Sequence, residues 1–167
     1  MIINKPHFKL VFFIILMSGY LIFGQPALPQ RVITATPTQS ISFGTFFDNG
    51  GNGGSITVDW QGIRTTTGDI YPIPNSPVTP AIYAIKLCQG RTVNITYPES
   101  TTLTDSNGFS LTLDIGPTEK GGNGAVFATE RNCNFITLLR IGGTLHIPPN
   151  TPSNSFTGNI SVYFEQQ

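Results

Sequence analysis

The chain has 167 residues, of which 39% are hydrophobic and only 11% charged, with nine Lys+Arg against nine Asp+Glu. An average soluble domain carries about 25% charged residues, so this sequence lacks the charge density that keeps a chain disordered and the basic excess that neutralises nucleic-acid phosphates. Its length is that of one domain, and its 18 Gly and 13 Pro favour short strands joined by turns over long helices.

Lys5, His7 and Lys9 form a basic start, and residues 10–23 then run 14 positions without a charge. A membrane-spanning helix needs about 20 apolar residues, so the run reads as the apolar centre of a secretory signal. Gly24 places the cut before Gln25, with Ala27 as the alternative. No Cys lies near the cut, which argues against a lipid anchor. Residues 1–24 are therefore expected to leave, and residues 25–167 to form one mature domain without a membrane span. That domain is expected in the periplasm, on the outer cell surface or outside the cell. Lys5 and Lys9 leave with the signal, so seven basic and nine acidic residues remain, a net charge of −2.

Residues 25–38 form an extended lead-in that overlaps a β-branched and aromatic stretch, residues 32–47. There Ile41, Phe43 and Thr45 alternate with Ser42, Gly44 and Phe46, a period of two. Residues 48–54, DNGGNGG, are a turn by composition. Ile56, Val58 and Trp60 alternate with Ser55, Thr57 and Asp59 as in a half-buried strand. Residues 61–80 read as a loop rich in Thr, Gly and Pro. Residues 81–87 make a stronger strand, and Gln89-Gly90 has the length of a two-residue hairpin turn into a strand at 92–97, which Pro98 ends. Phe109, Leu111, Leu113 and Ile115 share one face of a further strand. Residues 116–124 read as structureless. Strands are expected again over 125–127, 135–140, 144–147 and 156–164. This spacing indicates an all-β sandwich or barrel.

Catalysis needs a base, a nucleophile or a metal in convergent geometry. The mature chain has one histidine, His146, inside a strand-like segment, where a sheet or surface role is expected. Nothing has zinc-ligand spacing or the form of a nucleophile elbow. The carboxylates Asp59, Asp69, Glu99, Asp105 and Asp114 are scattered singly; only a pair assembled from distant strands escapes a linear reading. Asp48-Asn49-Gly50 lacks the side-chain oxygen that a calcium loop places at its third position. Asn94-Ile95-Thr96 and Asn159-Ile160-Ser161 match a glycosylation acceptor but fall in expected strands. Trp60, Tyr71 and Tyr83 together could form a sugar platform, although the phase of Trp60 assigns it to the core. No catalytic residue, metal or cofactor is expected. In an exported chain Cys88 and Cys133 are expected to form a disulfide. It closes a loop of 44 intervening residues and is worth on the order of 4 kcal/mol through the unfolded chain.

The order of several motifs carries a resemblance: Ser42-Phe43-Gly44, Gly54-Ser-Ile-Thr-Val58, Gly62-Ile-Arg-Thr-Thr-Thr-Gly68, Val93-Asn-Ile-Thr-Tyr-Pro98, Gly142-Gly143-Thr144-Leu145, and Phe156-Thr-Gly158-Asn-Ile-Ser-Val162-Tyr-Phe164. The chain resembles a bacterial secreted family of unknown function, DUF number 4402. That family is distantly similar to spore-coat and fimbrial β-sandwich subunits. The resemblance implies an immunoglobulin-like Greek-key β-sandwich, mostly antiparallel, and a non-enzymatic structural or adhesive role. A sandwich also leaves edge strands that can accept a strand from another chain, so self-association or strand exchange with other envelope subunits is expected, with the lead-in as the likelier donor if residues 156–164 complete their own sheet. The alternative is an extracellular glycan- or peptide-binding module using residues 61–80. The C-terminus, Glu165-Gln166-Gln167, lacks the near-terminal tyrosine of chaperone-assembled pilins, which points away from that assembly route.

Mass spectrometry of the exported protein should find the N-terminus at or near Gln25, and Cys88 and Cys133 unreactive to alkylation until reduced. Full-length protein starting at Met1 in a membrane fraction, or two freely alkylated thiols, would contradict this reading.

Overall fold

The computed structural model describes residues 33–87, 91–130, 132 and 134–167. The expected signal segment, most of the lead-in, both cysteines and the Gln89-Gly90 turn lie outside them. The described residues form twelve strands: β1 (Thr34–Gln39), β2 (Phe46–Asp48), β3 (Gly54–Val58), β4 (Arg64–Gly68), β5 (Ile70–Pro72), β6 (Ala81–Lys86), β7 (Thr92–Thr96), β8 (Ser100–Thr104), β9 (Ser110–Thr118), β10 (Val126–Ala128), β11 (Thr137–Ile147) and β12 (Tyr163–Gln166). Every pairing between them is antiparallel. The fold is all-β, as the alternation of apolar and polar residues predicts.

β11 organises the largest sheet. Its first half pairs with β6, from Thr137 opposite Ile85 to Ile141 opposite Ala81. Its second half pairs with β3, from Gly143 opposite Val58 to Ile147 opposite Gly54. β9 runs along the other edge, with Gly143 opposite Ile115 and His146 opposite Thr112. Beyond β9, the Arg140 carbonyl accepts the Glu119 N–H at 3.0 Å. β6 and β3 therefore occupy successive stretches of one edge of β11. β1 extends the sheet beyond β6, β4 beyond β3 and β8 beyond β9. A second sheet has the order β10-β7-β12, and β2 pairs with β5 in a third.

The division of β11 splits the interior into two apolar clusters. One gathers Ile85, Leu139 and Ile141 against Val93, Ile95 and Phe127 of the β10-β7-β12 sheet. The other gathers Ile56, Val58, Leu111, Leu113 and Leu145 with Phe43 and Ile70. Ile41 and Ile160 pack against both. Alternation along β9 buries Leu111, Leu113 and Ile115 as its sequence predicts, and only Phe109 at its start is left exposed.

Several segments differ from their sequence reading. Residues 61–80 contain β4 and β5, and Ser42 bridges Thr79. Three consecutive threonines carry no apolar alternation, so β4 is silent in a hydrophobic pattern. β8 has Leu103 as its single buried residue and is silent for the same reason. Residues 116–118 continue β9, and the expected strands at 135–140 and 144–147 are one strand, carried through Gly142-Gly143. β6 and β7 belong to different sheets, so they do not form the hairpin expected at Gln89-Gly90. Residues 156–164 keep Phe156, Ile160, Val162 and Phe164 turned inward. Among the described residues they make only the Thr104–Thr157 bridge before β12 pairs with β7. Asn159 is thus exposed outside any strand rather than in one.

The glycines of these segments mark close backbone crossings. A Cβ on Gly142 would lie 2.6 Å from the Val58 carbonyl oxygen, and one on Gly158 would lie 2.4 Å from that of Thr102. Asp105 closes the β8–β9 turn. Its Oδ1 accepts the N–H groups of Asn107 at 2.9 Å and Phe109 at 2.8 Å, and its Oδ2 accepts the Asn154 amide at 2.9 Å. Burial pushes this carboxyl up, but the bonds from Phe109, Asn154, Asn107 and Gly108 outweigh it and hold it below its usual value of 3.8.

Gly142→Ala should cost about 1–3 kcal/mol, because rigid backbone cannot withdraw from the new methyl. Gly122→Ala, with nothing within 4 Å of its Cβ position, should be neutral; urea unfolding midpoints of the two variants test the contrast. A carboxyl whose folded pKa is depressed stabilises the fold above the unfolded pKa, and that contribution is lost as pH falls through the folded value. Wild-type stability should therefore fall on acidification below about pH 4. Asp105→Asn should be less stable at neutral pH and lose less on acidification; a parallel acid dependence in the two proteins would refute the assignment.

Candidate functional site

Among the described residues, the three aromatics that the sequence allowed as one platform do not stack on one another. Trp60 is half-buried in the turn after β3 and is not among the fully buried core residues, contrary to its phase. The turn is set by Asp59, whose Oδ1 accepts the N–H groups of Gln61 at 2.9 Å and Ile63 at 2.8 Å. Tyr83 packs on Phe164 with ring centroids 5.8 Å apart and donates its hydroxyl to the Ile160 carbonyl at 3.3 Å. Burial raises its pKa. It fastens the C-terminal segment. Tyr71 has another partner, Phe47.

β2 and β5 place Phe47 opposite Tyr71. The rings stack at 5.8 Å with an interplanar angle of 22°, and each residue is 49% exposed. The ladder continues where the Ile73 N–H donates to the Thr45 carbonyl at 2.9 Å, so Ile73 extends the same outer face. The inner face of this small sheet is different: Ile70 is buried and Phe46 packs against the second cluster. Arg64 holds the exit of β5 by donating to the carbonyls of Phe43 and Ile73, both at 3.2 Å, and to Ser76 Oγ at 3.0 Å. Beside the rings, Asp48 receives the N–H groups of Gly51 at 3.0 Å and Gly53 at 2.9 Å. Its carboxylate thus holds the DNGGNGG loop by its own amides. Asn52 bonds Asp69 across the loop. The result is an exposed aromatic and aliphatic face edged by amides and a carboxylate. Such a face suits stacking against the apolar side of a sugar ring or a side chain. A signal existed in the sequence, since Phe46-Phe47 and Tyr71-Pro72-Ile73 pair apolar residues on both faces of short strands.

His146 lies on the solvent side of β11, with Nε2 2.7 Å from Asp114 Oδ2; both side chains are about half exposed. Its cross-strand neighbours are Ser55 and Thr112. The Ser55 hydroxyl bonds Thr67 at 2.7 Å, and Thr57 bonds Thr144 at 2.9 Å. The histidine therefore sits in a hydroxyl-covered sheet face, as expected of a surface residue. Glu119 pairs with Arg140 at 3.0 Å. Among the described residues no group of three His, Cys, Asp or Glu side chains is placed to hold a metal. No helix among them is long and apolar enough to cross a membrane.

Neither a comparison with curated proteins nor one with solved structures returned a match. A family model does match, over residues 33–165. This span takes in eleven strands whole and most of β12. It also contains the six motifs that carried the resemblance. The chain therefore belongs to the family described as "Domain of unknown function (DUF4402)".

Proposed function

We propose that this domain is a non-enzymatic structural or adhesive subunit of the bacterial cell envelope or surface, exported and assembled by strand exchange. One observation carries the reading. The first described strand, β1, lies at a sheet edge, paired among the described residues with β6 alone, with Thr34, Thr36, Pro37 and Thr38 exposed. Ala35 and the adjoining Ile33 pack against the first cluster, but the rest of the strand is held by its ladder and edge bonds, and such a strand costs little to exchange with an identical strand from another copy. The C-terminal segment is tied down instead, with Phe156, Ile160, Val162 and Phe164 packed on the two clusters, and suits the role of closing its own domain.

The exposed Phe47–Tyr71 face favours a second reading, an extracellular glycan- or peptide-binding module. Size-exclusion chromatography and electron microscopy of the mature chain separate the two. Assembly gives oligomers or filaments that disappear when residues 25–36 are deleted, while circular dichroism retains a β spectrum. A mature protein that stays monomeric at high concentration sinks the assembly reading. Binding to a glycan or peptide array that Tyr71→Ala abolishes then establishes the module.

A further inference from the structure

Unpaired sheet edges invite another strand, and natural proteins guard them with proline, charge, bulges, shortness or a covering segment. This domain uses most of these devices. β1 carries Pro37 and a register shift between Pro37 and Gln39. β8 is covered by the C-terminal segment: Thr104 and Thr157 exchange backbone bonds of 2.8 and 3.1 Å, and Thr101 Oγ1 donates to the Asn159 carbonyl. β12 carries Glu165, and β10 has three residues.

β4 has none of them. It pairs with β3 in unbroken register, from Gly54 opposite Gly68 to Val58 opposite Arg64. Its single charge, Arg64, is folded inward onto the carbonyls of Phe43 and Ile73. The ladder phase is fixed at both ends, where Asp59 N–H donates to the Ile63 carbonyl and Asp69 N–H to the Gly53 carbonyl, both at 3.0 Å. In an antiparallel ladder these narrow pairs recur at every second residue. Thr65 and Thr67 therefore point their backbone groups at β3, and Thr66 points both of its own away from the sheet. Among the described residues no other strand pairs with β4 along that outer edge.

We propose that the β4 edge is a self-association surface, on which β4 of a second copy adds antiparallel across a two-fold axis centred on Thr66. A centre there makes the edge complementary to itself. Thr66 exchanges both backbone bonds with its twin, and Thr65 lies opposite the partner's Thr67 on the exposed face, a favourable cross-strand pair. Pairing stops at Gly68, whose φ of +66° turns the chain out of the extended form. The contact is short, so the dimer is weak, and it joins two hydroxyl-covered faces into one. This inference does not depend on strand exchange by β1.

Sedimentation equilibrium of the mature chain tests it. Wild type should show a dimer fraction rising with concentration toward about 1 mM, where even a millimolar Kd gives substantial occupancy. Thr66→Pro removes only an amide that faces outward and should leave a monomer. The double variant Thr65→Lys/Thr67→Lys sets like charges opposite across the axis and should also be monomeric. Thr65→Lys/Thr67→Glu sets opposite charges there and should dimerise at least as well as wild type. Deleting residues 25–32 should leave this dimer intact even if it abolishes larger assemblies. A wild type that is monomeric throughout, or a Lys/Lys variant that dimerises as wild type does, overturns the proposal.

Discussion

The fold depends on one strand serving three others. β11 meets β6 and β3 in succession along one edge and β9 along the other. A strand that changes neighbours midway must let two chains close in on the same stretch of backbone, and side chains there would hold them apart. Gly142-Gly143 meets that requirement. A Cβ on Gly143 would sit 2.9 Å from the Asp114 carbonyl oxygen on one edge, as one on Gly142 would crowd Val58 on the other. The two apolar clusters follow, because each half of β11 supplies the wall of one of them.

Both clusters are finished by segments with little ladder of their own. Ile41 and Ile160 pack against both, so the seam is sealed from the two ends of the domain sequence. Asp105 extends this logic to a turn. Its carboxylate shapes the β8–β9 reversal through main-chain amides and reaches across to Asn154, fixing the start of the C-terminal segment. The domain's charge is sparse, and much of what it has is spent on holding loops, as at Asp48, Asp59 and Asp105.

Where burial alternates along a strand, the sequence was legible. Leu111, Leu113 and Ile115 disclosed β9, and Val93 and Ile95 disclosed β7, since alternate burial leaves a period of two. It was illegible where a strand has one buried residue or none: β4 is threonine throughout its centre, and β8 shows only Leu103. The C-terminal segment failed in the opposite way. Its alternation is real and its apolar residues do face inward, yet an apolar pattern reports burial and not hydrogen bonding, so the ladder inferred from it is mostly absent. At the surface, the sequence offers Trp60 and Tyr83 as companions for Tyr71, but its stacking partner is Phe47. Neighbours across a sheet depend on register between distant strands, and no local pattern encodes that Phe47 is its partner.

The tie between β7 and β12 has a temporal meaning. Thr92–Thr96 lies near the middle of the domain, and the strand that flanks it on one side, Tyr163–Gln166, comes last among the twelve. As the chain is made, Val93 and Ile95 emerge long before Ile160, Val162 and Phe164, which complete their cluster. Pairings between such distant residues pay loop-closure entropy before any contact rewards it. The nascent domain is therefore held open by its own topology, with half of its interior uncovered until the final strand arrives. Under the export proposed above, this delay would keep the chain threadable during passage and make closure the last event.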